Sequence, residues 1–296
     1  MPVVPRTRRL VAALVAGVVV LALTGCVPPA AAPAPAFPAT GPDSDPAGAA
    51  AALVVHHADR GYAGARVVED QSAEAITILP PHPNGALVVY LHGWGQTRWA
   101  LIERPGESDV SHALVAAGFT VLGADADLKA WGDAASVADY RSLITSTMRA
   151  HHLTRVFLMG ESMGGLPTMQ LARDLPAVRA VVAWYPVCDL RTMRQARFQQ
   201  SIAAAWQGAD RSVVSPVRVS AKPMLVWASP QDTVVTASRN AAVCVAEART
   251  AGADVTYFHT TGQHGDASNF VPAKVVTFFR DHLGTTPQKV VRADAE

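Results

Sequence analysis

The chain has 296 residues, of which 50% are hydrophobic and 17% are charged, so it carries enough apolar material for a sizeable core. This composition argues against an intrinsically disordered protein or a coiled coil. The 25 basic and 24 acidic residues leave a formal net charge of +1, which removes the electrostatic case for nucleic acid as the main partner.

The N-terminal residues have the pattern of an export signal. Residues 6–9 (RTRR) are basic and precede an apolar run over residues 10–23, which is shorter than the roughly 20 residues of a membrane span. The run ends in LTGC at residues 23–26, which resembles the lipobox of bacterial lipoproteins. That resemblance implies cleavage before Cys26 and lipidation of its thiol. The alternatives are an uncleaved anchor helix, or a secreted protein in which Cys26 has no such role.

A tether follows the signal. Residues 27–50 are almost entirely Pro, Ala and Gly, which favours an extended, semi-rigid spacer. The remaining residues, 51–296, have the size of one α/β domain. We therefore expect a signal peptide over residues 1–25, a lipidated Cys26 with its tether over 26–50, and one folded domain. The expected location is the outer face of a bacterial membrane, which the protein contacts through its lipid.

From residue 75 onward, short apolar runs alternate with amphipathic stretches, as in a parallel sheet covered by helices on both faces. The predicted strands are Ala75–Leu79, Ala86–Leu91, Phe119–Ala124, Arg155–Gly160, Val178–Tyr185, Pro223–Ala228 and Asp254–His259. The predicted helices are Ser108–Ala117, Ser136–Ala150, Met163–Asp174, Ala237–Ala251 and Pro272–His282. The pattern predicts a doubly wound α/β fold with a mostly parallel sheet, whose active site lies beyond the carboxyl ends of the strands.

The segment 189–220, which we call the excursion, interrupts this alternation. It is rich in Arg and Gln and has one weak helical stretch, Phe198–Trp206. About thirty residues are enough for a small lid but too few for a second domain, so we expect little or no cap. Elsewhere, Cys188 and Cys244 either form a disulfide, as export allows, or remain buried thiols.

The sequence G-E-S-M-G at residues 160–164 places a serine between two glycines, after an apolar strand and at the start of a helix. This is the pattern of a nucleophile elbow. A strand that turns at once into a helix crowds the residues on either side of the turn, so they must lack bulk. Ser162 is therefore the candidate nucleophile, with the amides of the helix start facing any negative charge beside it.

A serine hydroxyl needs a base to accept its proton, and the base needs a carboxylate to hold its tautomer. Asp232 follows the predicted strand ending at Ala228, and His264 follows the strand ending at His259. Asp189, which follows another strand, is the alternative carboxylate, although the surroundings of Asp232 match better. His259 is the alternative base, but it lies inside a strand rather than in the loop beyond.

These motifs, in the order Ser, Asp, His, resemble the α/β-hydrolase superfamily over residues 75–283. The resemblance implies that Ser162 is the nucleophile, His264 the general acid and base, and Asp232 its orienting carboxylate. It also implies an oxyanion hole after the strand ALVVYL, at the sequence HGWG of residues 92–95. The two donors would be the backbone amides of Trp94 and Met163.

Several aromatic residues fit either a substrate pocket or core packing: Trp94, Trp99, Trp131, Tyr185 and Trp206. The predicted pocket residues are Trp99 and Tyr185. Two adjacent histidine pairs, His56-His57 and His151-His152, do not suggest a metal site. Adjacent helical residues point about 100° apart, and no further ligand lies at a suitable spacing.

The predicted reaction is hydrolysis of a small or polymer-attached ester through an acyl-enzyme, without a cofactor or a metal. The same triad also activates attack on thioester and peptide bonds, so a thioesterase or a serine peptidase is an alternative. A non-catalytic envelope binding protein that has kept the fold is another. The sequence does not indicate an oligomeric state or a particular substrate.

Overall fold

The computed structural model describes the backbone of residues 53–56, and residues 62–128 and 131–284 in full. The predicted signal peptide, Cys26 and the tether lie outside the described residues. In the part of the chain that is described, no helix combines the length and the apolar character needed to cross a membrane.

A nine-stranded sheet forms the centre of the fold, in the spatial order β1-β2-β3-β5-β4-β6-β7-β8-β9. The strands are β1 Leu53–His56, β2 Arg66–Asp70, β3 Ala75–Leu79, β4 Ala86–Leu91, β5 Thr120–Ala124, β6 Arg155–Glu161, β7 Val178–Trp184, β8 Met224–Ala228 and β9 Val255–His259. The pairings among β1, β2, β3 and β5 are antiparallel, and all pairings from β5 to β9 are parallel. The mostly parallel sheet predicted from the sequence is confirmed.

Helices cover both faces of the sheet. They are α1 Ala100–Glu103, α2 Glu107–Ala116, α3 Ala134–Ala150, α4 Gly165–Asp174, α5 Ala196–Trp206, α6 Ala241–Thr250 and α7 Pro272–Asp281. The central strands are buried on both sides, so alternate residues of β4 enter two separate apolar clusters. One cluster includes residues of α3, α4, α5 and α6, and the other includes residues of α1, α2 and α7. The doubly wound architecture is therefore confirmed.

The elements differ from the prediction in two ways. Strands β1 and β2 and the four-residue helix α1 were not predicted; the sequence of β2, RVVED, alternates buried and less buried residues and has no continuous apolar run. The predicted helix Ala237–Ala251 is interrupted at Asn240, which has φ −130° and ψ −85°. The buried Asn240 side chain accepts hydrogen bonds from the backbone amides of Cys188 and Asp189, and this tie replaces helical geometry at that residue.

The excursion forms one short helix, α5, rather than a second domain. A disulfide between Cys188 and Cys244 joins the chain at the start of the excursion to α6, with a Cα–Cα separation of 5.9 Å. The bond and the Asn240 side chain together hold the start of the excursion against α6. Because disulfides persist outside the reducing cytosol, this bond is consistent with an exported protein.

Candidate active site

The parallel strands bring the predicted motifs to one edge of the sheet. Ser162 follows β6, Asp232 follows β8, and His264 follows β9. The strand ends are in register, since Leu91 of β4 pairs with Gly160 of β6 and the last residues of β8 and β9 pair with each other. Loops that are far apart in sequence therefore start at the same level of the sheet.

The turn at Ser162 has the strained geometry of a nucleophile elbow. Ser162 has φ +50°, in the left-handed region that a non-glycine residue rarely adopts. A Cβ atom at Gly164 would overlap the carbonyl oxygen of Leu91, and one at Gly160 would overlap the side chain of Thr168. The two glycines therefore allow the close approach of β4 and α4 that the turn requires, as the sequence pattern predicts.

Three side chains form a continuous hydrogen-bonded chain. The Oγ atom of Ser162 lies 3.0 Å from Nε2 of His264, and Nδ1 of His264 lies 2.7 Å from Oδ2 of Asp232. The His264 side chain is 20% exposed, whereas that of Asp232 is 1% exposed. The arrangement can move a proton from the serine to the histidine while the buried carboxylate stabilises the resulting imidazolium.

The loop after β8 fixes the orientation of Asp232. Its Oδ1 atom accepts hydrogen bonds from the backbone amides of Val234 and Val235, both at 2.8 Å. Oδ2 is left to face His264. Both oxygens of this buried carboxylate therefore have donors, which offsets the cost of burying its charge.

The alternative residues are engaged elsewhere. Asp189 accepts from the amide of Arg191 and forms an ion pair with its guanidinium at 2.6 Å, where it caps a 3₁₀ turn over Leu190–Thr192. His259 is the exposed last residue of β9, with its ring 4.3 Å from that of Tyr257. Among the hydrogen bonds of the described residues, Ser162 Oγ bonds His264 and not His259, and His264 bonds Asp232 and not Asp189.

The predicted oxyanion donors are the backbone amides of Met163 and Trp94. Met163 is the second residue of a 3₁₀ turn over Ser162–Gly164, ahead of the amides that the turn uses for its own hydrogen bonds. Trp94 lies inside the turn in which Gln96 N–H donates to Gly93 O at 3.2 Å, so its own N–H takes no part in that bond. Neither amide is used by the turn that contains it, and their role as oxyanion donors stays a prediction.

The loop from β4 to α1, residues 92–99, is held from several directions. The ring nitrogens of the buried His92 lie 2.8 Å from Gly93 O and 2.9 Å from Asp125 O. Arg98 forms ion pairs with Asp125 and, at 3.0 Å, with Glu69 of β2. These contacts anchor the β4–α1 loop to the neighbouring strands, so the amide of Trp94 has a fixed position.

A buried polar network lies behind the nucleophile, and the sequence analysis did not predict it. Glu161, the residue before the serine, is 3% exposed, and its Oε1 accepts hydrogen bonds from Tyr185 (2.9 Å) and from Gln96 Nε2 (2.8 Å). Its Oε2 contacts the hydroxyl of Tyr90. Gln96 Nε2 also donates to Oε1 of the buried Glu107 at 3.3 Å, so one amide joins two carboxyl groups.

Burial dominates the titration of this network. Burial and repulsion from Glu161 raise the pKa of Glu107 to about 7, although its ion pair with Arg104 (2.9 Å) acts in the opposite direction. Burial, and next the charge of Glu161, also raise the pKa values of Tyr90 and Tyr185 well above 10. Both phenols are therefore neutral at neutral pH and have one proton to donate.

The predicted pocket residues lie in different places. The ring of Tyr185 packs 4.5 Å from that of His264, but the residue is 2% exposed and its hydroxyl is bonded to Glu161. Its hydroxyl therefore supports the site from behind, and a role in lining the substrate pocket stays a prediction. Trp99 is half-buried at the start of α1, with the guanidinium of Arg98 5.4 Å from its ring.

Trp94 is the aromatic side chain of the β4–α1 loop that remains exposed, at 38%. Its ring packs edge-on against Phe198 of α5 at 5.2 Å, and its indole N–H donates to Ser201 Oγ at 3.1 Å. The buried Trp131 donates to the same oxygen at 2.9 Å. The excursion therefore packs directly against the β4–α1 loop. Trp131 is a core residue.

In the described residues, no group of three or more His, Cys, Asp or Glu side chains is placed to hold a metal ion. The fold and the arrangement of Ser162, His264 and Asp232 define a serine hydrolase of the α/β-hydrolase superfamily. The chain matches the family described as "Serine aminopeptidase, S33" over residues 82–256, which is more than half of its length. It therefore belongs to this family, and the predicted superfamily is confirmed.

Solved structures of esterases and peptidases share the fold. The esterase Pf2001 of Pyrococcus furiosus is 17% identical with a TM-score of 0.56, over 74% of this chain and 89% of the esterase. The esterase domain of a Rhodothermus marinus protein is 20% identical with a TM-score of 0.53, over 78% and 98%. A puromycin-hydrolysing peptidase of Mycobacterium tuberculosis is 18% identical with a TM-score of 0.58, over 75% of this chain but 39% of the peptidase. No curated protein sequence matches the chain. At these identities the similarity shows the fold alone.

Proposed function

We propose that the protein is a carboxylic ester hydrolase of the bacterial cell envelope that acts through an acyl-enzyme on Ser162. The observation that carries the proposal is the hydrogen-bonded chain from Ser162 Oγ through His264 to the buried Asp232, at 3.0 and 2.7 Å. A small or polymer-attached ester is the proposed substrate.

In the proposed mechanism, Ser162 attacks the ester carbonyl while Nε2 of His264 takes its proton. Asp232 accepts a hydrogen bond from Nδ1–H, which keeps Nε2 free as the base. The amides of Trp94 and Met163 hold the oxyanion of the tetrahedral intermediate. His264 then protonates the leaving alcohol, and water repeats the sequence on the acyl-enzyme. These steps use only residues of the chain and water.

Charge near the site supports an ester over a substrate with a free N-terminal amine. An aminopeptidase must bind an ammonium group, for which an accessible carboxylate is the usual partner. Glu161, the carboxyl group next to Ser162 in sequence, is buried and bonded to Tyr185 and Gln96. The excursion has five Arg and two Asp and no Lys or Glu, so its net charge of +3 disfavours a cationic substrate.

The test compares scissile bonds with the same enzyme. We would measure kcat/KM for p-nitrophenyl butyrate, a butyryl thioester and alanine p-nitroanilide, with Ser162→Ala as the control. The proposal predicts that the oxygen ester has the highest kcat/KM and that Ser162→Ala loses it. If alanine p-nitroanilide is hydrolysed with an equal or higher kcat/KM, the protein is a peptidase, as its family description favours.

The envelope location rests on the N-terminal sequence, RTRR, then an apolar run, then LTGC ending at Cys26. We propose that Cys26 is the lipidated first residue of the mature protein. Mass spectrometry of the membrane fraction of a bacterial host should detect an N-terminal Cys26 peptide carrying a diacylglyceryl group. A mature protein that begins elsewhere, or an unmodified Cys26 in soluble protein, would contradict this location.

A further inference from the structure

The polar network behind Ser162 touches both halves of the proposed machinery. Gln96 Oε1 accepts a hydrogen bond from the amide of Gly93 at 2.8 Å, directly before Trp94. On the other side, Tyr185 bonds Glu161 through its hydroxyl and packs its ring against His264. A change within the network therefore acts on the β4–α1 loop and on the base at the same time.

The hydrogen bonds of Gln96 show that the Tyr90 hydroxyl is a donor. Oε1 of Gln96 is identified as the oxygen because it faces the N–H of Gly93, which can only donate. The Tyr90 hydroxyl lies 2.7 Å from this oxygen and faces it as a donor. Its other close acceptor is Oε2 of Glu161.

The side chains of Glu161 and Gln96 are joined in two ways. Oε1 of Glu161 accepts from Gln96 Nε2, as it does from Tyr185. The Tyr90 hydroxyl is a donor to both Oε2 of Glu161 and Oε1 of Gln96, so it bridges the same two side chains.

We propose that Glu161 and Gln96 are positioning residues for acyl transfer. This inference rests on the proposed function. Glu161 and Tyr90 bond the side chain of Gln96, and Gln96 holds the Gly93–Trp94 segment where the amide of Trp94 binds the oxyanion. Loss of these hydrogen bonds lowers kcat.

The groups that face Glu161 come from four parts of the fold. They are Tyr90 of β4, Gln96 of the β4–α1 loop, Arg104 and Glu107 at the junction of α1 and α2, and Tyr185 directly after β7. Glu107 is the other buried carboxyl group, and the two share one amide donor. Gln96 is therefore the side chain that joins the two buried carboxyl groups.

The first test removes the bonds of Gln96 without changing its length. For p-nitrophenyl butyrate, Gln96→Met should lower kcat about 10- to 100-fold and change KM by less than about threefold, because the lost contact positions a group that acts in the transition state. Tyr90→Phe should lower kcat in the same direction. The control is Tyr62→Phe, a buried tyrosine bonded to Leu101 O and Ser111 that should keep the wild-type kcat.

The second test changes Glu161 at constant shape and then removes its polar atoms. In Glu161→Gln, the amide oxygen accepts from Tyr185 and Gln96 and the NH₂ faces Tyr90, so this variant should keep more than about a third of kcat. Glu161→Leu has no acceptor and should lower kcat about as much as Gln96→Met, with KM within about threefold. A folded Glu161→Leu protein with the wild-type kcat, or a folded Glu161→Gln protein that loses kcat more than 100-fold, would overturn the inference.

The outcomes separate this inference from the proposed function. A wild-type protein that does not react with a fluorophosphonate at Ser162 would refute the function itself. If the wild type reacts and a folded Gln96→Met protein hydrolyses the ester at the wild-type rate, only the positioning role fails. If Gln96→Met does not fold, the kcat values of Glu161→Gln and Glu161→Leu decide.

Discussion

The substitution Asp232→Asn tests the orientation of the triad with almost no change in volume. In the wild type, Oδ1 of Asp232 accepts from two backbone amides and Oδ2 faces Nδ1 of His264. The two backbone amides can only donate, so the oxygen of the introduced side-chain amide must keep the Oδ1 position and its NH₂ must face His264. An NH₂ donor requires Nδ1 to be the acceptor, so the proton of the ring moves to Nε2.

With the proton on Nε2, His264 cannot accept a proton from Ser162. A triad held in this wrong tautomer loses about 10⁴-fold in kcat, which corresponds to about 5 kcal/mol of transition-state stabilisation. The assay is steady-state hydrolysis of p-nitrophenyl butyrate, with thermal unfolding followed to confirm that the variant folds. KM should change little, because the altered hydrogen bond does not contact the substrate.

Asp189→Asn is the matched control, since Asp189 also follows a strand of the parallel sheet but pairs with an arginine that is 64% exposed. Its kcat should stay within about threefold of the wild type. The reasoning is refuted if Asp232→Asn stays within about tenfold of the wild type, or if Asp189→Asn shows the larger loss.

Three further predictions concern stability. Replacing Cys188 and Cys244 together by Ser should lower the unfolding free energy by up to about 4 kcal/mol, because the disulfide closes a loop of 56 residues in the unfolded chain. Equal denaturant midpoints for the variant and the oxidised wild type would contradict this. Ser201→Ala leaves the indole N–H of the buried Trp131 without its acceptor and should cost about 1–3 kcal/mol, whereas Ser268→Ala on an exposed turn should cost much less. Because the pKa of Glu107 is raised from 4.5 to about 7, the folded state binds its proton more tightly than the unfolded state. The protonated Glu107 therefore contributes up to about 3 kcal/mol of stability, which is complete below about pH 4.5 and is lost as the pH rises to about 7. Glu107→Gln should remove this pH dependence of the unfolding free energy. A Glu107→Gln variant with the wild-type pH dependence in urea unfolding would refute the prediction.

The parallel strands β4 to β8 could be predicted from the sequence because they are buried on both faces. The antiparallel strand Ala75–Leu79 and the parallel strand Ala86–Leu91 have the predicted bounds, and the other predicted strands differ by about one residue at an end. Their apolar runs leave little choice of structure. The meeting of Ser162 with distant loops followed from the same argument, since the carboxyl ends of parallel strands lie at one edge.

The parts that were missed depend on pairs of residues far apart in sequence. Three of the five residues of β2 are charged, and only the structure shows that one of them, Glu69, pairs with Arg98, 29 residues later. The sequence predicts that Asn240 is helical, because its partners, the backbone amides of Cys188 and Asp189, lie about 50 residues earlier in the chain. In the same way, Gln96 and Glu161 are ordinary polar residues in sequence, and their shared network appears only when β4, β6 and α2 pack together.

Covalent labelling of Ser162 tests the central claim most directly. The full-length protein in detergent would be treated with a fluorophosphonate probe, beside Ser162→Ala and His264→Ala, and the adduct located by mass spectrometry. We predict one adduct, on Ser162, that Ser162→Ala abolishes and His264→Ala slows by orders of magnitude. A folded wild-type protein that remains unlabelled, or that is labelled elsewhere, would contradict the account of this protein as a serine hydrolase acting through Ser162.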